Sequence, residues 1–417
     1  MTPEKIEKLF WIVLIAWVLL RTVLLGAQLT GNTDLQYAER VRRYFSDENI
    51  AMGRQYALSG FWVKSLYGFA YVGLLLVLIR SGFFSKAFDR ITQATGTGLL
   101  RNELAFTVFT LAFLQLVALP YAYYMGFLRE SAMGFSNLTS FGWLIKFFKS
   151  SMLSIFLETS GILILLWVLK SFSETWVFIV PVVMGVFSLM ITILFPILIT
   201  PLFYEQKPLE AGEFKEKLLE ISARSGLKVD EIYVIDESRY SKHTNAYFTG
   251  VGPFRRIVLY DNLIKSHTPD EAALIFAHEA GHWRHNHVAK GLSLGFLAMI
   301  ALGLILKFSF PYLASVKWFG LRDLASSANL PFFLLAVMIF QLFTAPIESQ
   351  ISQYMERQAD RAALELTGLK EVYVEAEKRL AIDNKSDLLP SPLRVFWLYS
   401  HPPALERIEL ADSFEKQ

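Results

Sequence analysis

The sequence predicts a mainly α, polytopic membrane protein, with about seven transmembrane helices and a small α+β unit at one membrane face. Three observations carry this fold class. The 417 residues are 53% hydrophobic and only 19% charged, with a mean hydropathy of +0.38, whereas soluble domains hold about a quarter charged residues. The deficit gathers into long apolar runs, near the ~20 residues a helix needs to cross a bilayer. One intervening stretch, Glu205 to about Lys290, has ordinary soluble composition.

Seven apolar runs follow in order: Leu9–Leu29, Phe61–Ile79, Leu104–Leu128, Ser151–Leu169, Trp176–Leu202, Gly291–Leu313 and Leu330–Ile347. The first is long, contains Arg21 and has no small-x-small cleavage site soon after it, so it reads as an uncleaved membrane helix. The third and fifth carry no charge. Pro181, Pro196 and Pro201 are expected to kink the fifth, which neighbouring helices can accommodate by satisfying freed carbonyls. Lys307 interrupts the sixth. Glu158 lies in the fourth, where a carboxylate must face protein or water; with Arg21 and Lys64 it hints at a wet interior. In the soluble stretch, Phe214–Leu227 has its apolar residues at helical spacing and Gly226 as a stop. Glu231–Ser238 and Arg255–Ile264 read as strands, with the aromatic, Gly-rich Asn245–Gly252 between them.

The net charge of +2 and the absence of like-charge blocks give no reason to expect a nucleic-acid partner; the implied partner is the bilayer. There are no cysteines, which excludes disulfides, thiolate metal sites and cysteine nucleophiles. Histidine and carboxylate remain as metal ligands.

Four of the seven histidines fall within HEAGHWRHNH, His278–His287. Thr268 as N-cap, Pro269 at the first helical position and Glu271 in a Thr-x-x-Glu capping box start a helix just upstream. Leu274, Ile275 and Phe276 give it a packing face. His278 and His282 then stand at i and i+4, one turn apart on one face, where both can reach a tetrahedral zinc. Glu279 can contact a zinc-bound water and take its proton. His285 and His287 read as polar residues where the helix nears the headgroups.

Catalytic zinc usually takes three protein ligands, so a third is needed. Glu356 and Asp360, again at i and i+4, follow the seventh run. Glu356 could ligate while Asp360 hydrogen-bonds a ligand imidazole or a substrate-derived oxygen. Glu348 shares the face of Glu356, so spacing alone does not make the assignment unique, whereas Glu365 lies on roughly the opposite face. Two membrane crossings separate His282 from Glu356, so both halves can meet at one surface. A zinc protease cutting inside the bilayer is a second reading, opposed by Asp270, Glu271, Arg284 and Asn286 around the motif. A transporter with a metal-sensing histidine cluster is a third, from a different class.

HEAGH, ERQAD beyond two hydrophobic segments, NAYF upstream and HPPALER (His401–Arg407) together resemble the type I CAAX prenyl endopeptidases, integral-membrane zinc metalloproteases. The resemblance runs through essentially the whole chain in element order. It implies one Zn2+ per chain on His278, His282 and Glu356, with Glu279 as general base and Asp360 as the acid commonly assigned as proton donor. Asn245, His401 and Arg407 map onto polar residues lining the active site. Physically, Asn245 could hold a substrate backbone in strand addition, and His401 and Arg407 could stabilise an oxyanion.

A ring of seven helices around a hydrated chamber, closed at one end by the zinc site, is implied by the resemblance. The apolar runs and the soluble stretch give a four-part organisation: five membrane helices in 1–204, the soluble part of the protease unit with HExxH in 205–290, helices six and seven in 291–347, and the rest of the protease unit in 348–417. The implied substrate is a peptide or protein with a lipidated C-terminal cysteine. The compact chain, with a short link from Ala314 to Asn329, looks bacterial, which points to an inner membrane rather than endoplasmic reticulum and an active site facing the cytoplasm. A bacterial enzyme could instead clear damaged membrane proteins with no lipid requirement.

Overall fold

The computed structural model describes residues 2–227, 231–249 and 256–415. Seven helices in it are long and apolar enough to cross a membrane: Pro3–Thr30, Asp47–Arg80, Leu99–Ala132, Ser140–Ser171, Trp176–Phe203, His287–Ala314 and Ser327–Thr367. Their neighbour relations close a circuit, in the order first, seventh, second, third, fourth, fifth, sixth and back to the first. At most 28% of any apolar window is buried within the protein, so the helices stand as a loose ring rather than a packed bundle. Aromatic packing closes the end away from the histidine motif, where Phe10 meets Trp318, Phe319 and Phe332.

The helices overrun the apolar runs where charged residues continue them past the hydrocarbon. The fourth starts at Ser140, eleven residues before the run read from hydropathy, under a Thr139 cap that accepts from Gly142 N at 3.1 Å. That extension brings Lys146 Nζ 3.7 Å from the centre of the Tyr240 ring and ties the helix to the soluble unit. In the fifth, the expected irregularity takes the form of a π turn at Phe195–Ile199, around Pro196. The Arg21 guanidinium lies against the rings of Trp17 and Phe69, while Lys64 and Glu158 are exposed.

Among the described residues the soluble unit holds a four-stranded sheet in the order β1-β2-β4-β3: β1 is Gln206–Pro208, β2 Ile232–Ile235, β3 Ala246–Thr249 and β4 Arg256–Tyr260. β2 and β4 run parallel, and β1 and β3 flank them antiparallel. β4 stops earlier than its sequence suggests because Asp261 begins a short helix, Asp261–Ser266, and accepts Ser238 N at 2.8 Å. Gly226, at φ 73°, ends the helix Glu213–Ser225 as expected. The expected Gly-rich turn after β3, Gly250–Gly252, lies outside the described residues.

The helix Pro269–Arg284 packs across this sheet. Its capping box is formed, with Thr268 N donating to Glu271 Oε2 at 2.7 Å and Glu271 N to Thr268 Oγ1 at 3.3 Å. Leu274, Phe276, Ala277 and Ala280 are buried with Ile257, Leu259, Ala363 and Leu364. The seventh membrane helix continues unbroken as Leu330–Thr367 and lies against this helix. The two approach most closely at Gly281, where a Cβ would stand 2.9 Å from Ala359 Cα and 3.0 Å from its carbonyl oxygen.

Candidate metal centre

Gly281 and the small residues Ala359 and Ala362 let the two helices approach until His278, His282 and Glu356 converge. The imidazole Nε2 atoms of His278 and His282 are 3.2 Å apart. His278 Nε2 is 3.2 Å from Glu356 Oε2, and His282 Nε2 is 3.3 Å from Glu356 Oε1. These three are the group of potential ligands among the described residues. Glu348, the rival by spacing, is exposed and outside it.

The spacing fits a small tetrahedral ion. Bonds of about 2.0–2.1 Å place ligands about 3.3 Å apart, as seen here. Glu356 Oε2 is buried and accepts no hydrogen bond, a costly state for a carboxylate oxygen unless a cation satisfies it. His278 Nδ1 is 2.8 Å from Asp360 Oδ1. Since a carboxylate only accepts, Nδ1 carries the proton in the neutral imidazole and Nε2 points its lone pair at the centre. Burial opposes charge on His278, but the carboxylates of Asp360 and Glu356 outweigh it and raise its pKa, so that without a cation at the centre a proton on the ring takes that place. The pocket therefore recruits positive charge.

Asp360 is fully buried and engaged on both oxygens. Besides His278, it accepts from Arg407 Nε at 3.0 Å and Arg407 Nη2 at 2.6 Å. The remaining arm of Arg407, Nη1, lies 2.9 Å from Glu377. Arg407 thus stands behind Asp360, its fork already filled, rather than open to an oxyanion. Glu377 has no warning in the sequence: it is a buried carboxyl on the helix Lys370–Asp383, and burial pushes its pKa up to about 7 against the pull of Arg407.

His401 does reach the centre, with Nε2 3.5 Å from Glu356 Oε2 and more than half its side chain exposed. Glu279 is partly buried beside His278. Asn245 is exposed at the head of β3; its Oδ1 accepts Ala246 N at 2.9 Å, and its carbonyl accepts Tyr260 N. β3 is an edge strand, bonded only to β4 among the described residues. His287 departs from its sequence reading. It is buried, 5% exposed, with Nδ1 2.8 Å from His282 Nδ1. The cause is Asn286, whose left-handed conformation (φ 55°) breaks the helix and turns His287 back toward it. His285 remains half-buried at the helix end.

Comparison with known proteins gives the family. Residues 208–415 match the model of peptidase family M48, and residues 27–205 match a CAAX prenyl protease N-terminal model described as five membrane helices. Among curated proteins, the chain is 30% identical to CAAX prenyl protease 1 of Saccharomyces cerevisiae, over 84% of this chain and 82% of that one. It is 29% identical to the uncharacterized metalloprotease YhfN of Bacillus subtilis, over 82% and 80%. The crystal structure of S. mikatae Ste24p superposes with a TM-score of 0.83 at 26% identity, covering 96% of this chain and 98% of that one. With its seven apolar helices, its small sheet and its converging His-His-Glu set, the chain belongs to peptidase family M48, as a multi-pass membrane zinc metalloprotease of the CAAX prenyl protease type.

Proposed function

We propose that the protein holds one Zn2+ on His278, His282 and Glu356 and hydrolyses peptide bonds near the C-terminus of prenylated CAAX proteins. The observation that carries the metal assignment is the 3.2–3.3 Å triangle of donor atoms. Bound there, zinc would supply Lewis-acid polarisation of the scissile carbonyl and acidify water. The protein's own groups do the rest. Glu279 takes the proton of the attacking water and passes it to the leaving amine. Asp360 fixes the ring and tautomer of His278; with both oxygens engaged, it acts as an orienting group rather than a proton donor. Arg407 holds Asp360 in turn. His401 faces the oxyanion that develops as the amide carbon becomes tetrahedral. Asn245 and the free edge of β3 take the peptide backbone as an added strand.

The four-part organisation drawn from the sequence stands as part of this reading, with 205–290 and 348–417 forming one protease unit around helices six and seven. The prenylated substrate is supported by the names of the relatives. A bacterial inner membrane, with the centre facing the cytoplasm where substrates are made, is part of the same reading, and the Bacillus subtilis relative shows that similar chains occur in bacteria. Because the chain has no cysteine, single introduced cysteines and an impermeant maleimide report that orientation directly.

The test is zinc content and cleavage of a prenylated CAAX peptide by wild type, Glu279→Gln and Glu356→Ala. Glu279→Gln keeps zinc and loses cleavage; Glu356→Ala loses zinc. Full zinc occupancy in Glu356→Ala overturns the ligand set. Equal cleavage of unprenylated peptide removes the lipid from the substrate definition and transfers the protein to membrane quality control.

A further inference from the structure

His287 lies outside the ligand set yet touches it. Its Nδ1 is 2.8 Å from Nδ1 of His282, and its Nε2 is 3.0 Å from Gln358 Oε1. On its other side the Gln358 amide meets the Tyr354 hydroxyl at 3.2 Å, a group that can donate or accept and so fits either orientation of the amide. With the amide oxygen toward His287, as the structure places it, His287 donates through Nε2–H. A neutral imidazole has a single N–H, which leaves Nδ1 of His287 as an acceptor. The facing Nδ1 of His282 must then carry the proton, and the Nε2 of His282 is left with its lone pair toward the centre. The reversed row, with the amide flipped, would put the proton on His282 Nε2, so only this arrangement leaves that nitrogen free to bind a metal.

We propose that His287 and Gln358 are positioning residues that set the metal-binding tautomer of His282. The proposal rests on His282 being a zinc ligand. The two imidazoles are thereby supported differently. His278 is held by a buried carboxylate backed by Arg407, which pulls on its Nδ1 proton and makes the ring more basic. His282 is held by a neutral relay, which fixes orientation with little added charge. The relay also joins elements that meet only in the folded protein: the HExxH helix, the first residue of the sixth membrane helix, and the seventh helix two residues beyond Glu356. A shift of the sixth helix relative to the seventh reaches His282 through this contact.

The test is zinc affinity of the purified full-length protein, by competition with a chromophoric chelator, together with the visible spectrum after Co2+ replacement. His287→Leu removes the acceptor and is expected to weaken zinc about 10–100-fold, the usual cost of losing a ligand's hydrogen-bond partner, and to alter the Co2+ spectrum. His287→Asn places an amide oxygen where Nδ1 stood and is expected to restore affinity to within about threefold of wild type, on the same scale. Gln358→Glu keeps the acceptor for His287 Nε2–H and should bind zinc like wild type, while Gln358→Leu should not. Wild-type affinity and spectrum in His287→Leu would overturn the proposal, as would equal loss in His287→Leu and His287→Asn. His282→Ala separates the two layers: if it retains wild-type zinc affinity, the ligand reading has failed, whatever His287 does.

Discussion

Gly281, the fourth residue of HEAGH, is where the closeness of the two halves of the centre can be tested by a single methyl group. A Cβ there would meet Ala359 Cα at 2.9 Å, Ala359 O at 3.0 Å and Ala362 Cβ at 3.0 Å, where ordinary contact begins at 3.4 Å. Two of the three obstacles are backbone atoms and cannot rotate away, so the helices must separate by about 0.5 Å. The donor triangle spans those same helices, and a zinc site tolerates only about ±0.2 Å. Gly281→Ala is therefore expected to weaken zinc about 10–100-fold, comparable to losing an outer hydrogen-bond partner. Overpacking costs about 1–3 kcal/mol, but alanine returns up to ~1 kcal/mol of helix propensity, so the melting temperature moves less than the metal affinity. Chelator competition on detergent-purified protein measures the first, and thermal unfolding of the zinc-free form the second. Gly295→Ala, at a helical glycine with open space around it, is the neutral control. Wild-type zinc affinity in Gly281→Ala would refute the argument that this contact sets the ligand spacing.

Three further predictions concern groups around the centre and far from it. Arg407→Ala strands the buried carboxylates of Asp360 and Glu377 and should cost about 3–5 kcal/mol; an unchanged melting temperature would refute the clamp. Glu103, at the far end of the ring, accepts Ser327 N at 2.6 Å and pairs with Lys170 at 3.4 Å, so Glu103→Ala should lower stability by about 1.5–3 kcal/mol while leaving kcat/KM of the folded fraction intact. His243, two residues before Asn245, has its pKa raised by its hydrogen bond to Glu130, with burial opposing. The stabilisation from this pair is fully present below the ordinary histidine pKa of 6.5 and is lost as pH rises through the higher folded value. The melting temperature of wild type should thus fall more steeply than that of His243→Gln from pH 6 upward; parallel curves would show that the pair contributes nothing.

What could be read from the sequence follows from the range of each interaction. The HExxH helix was legible because its start, its face and its ligand pair all lie within sixteen consecutive residues. Membrane parity turns the separation of 74 residues between His282 and Glu356 into a return to the same face, but it does so for Glu348 as well, and only the folded packing separates the two. The membrane helices were legible in place but not in extent, since hydropathy stops at Lys146 and Lys149 while the helix does not. β1, three residues long, carries no periodicity to read. His287 was missed because i+5 is off the ligand face of a continuous helix, and only the turn at Asn286 brings it back; an asparagine between two histidines was the available signal. The engagement of Arg407 with Asp360 and Glu377 depends on how three separate helices pack, which no local pattern encodes.

The clamp that Arg407 makes on Asp360 also has a bearing on timing. Translation delivers the HExxH helix first, Glu356 after two more membrane crossings, and His401 and Arg407 only once the helix Ala404–Asp412 has been made. Until then Asp360 has no counter-charge, His278 has no settled proton partner, and the side of Glu356 facing His401 is bare. A ribosome-bound chain thus carries the HExxH helix before the groups that pack behind it have been made.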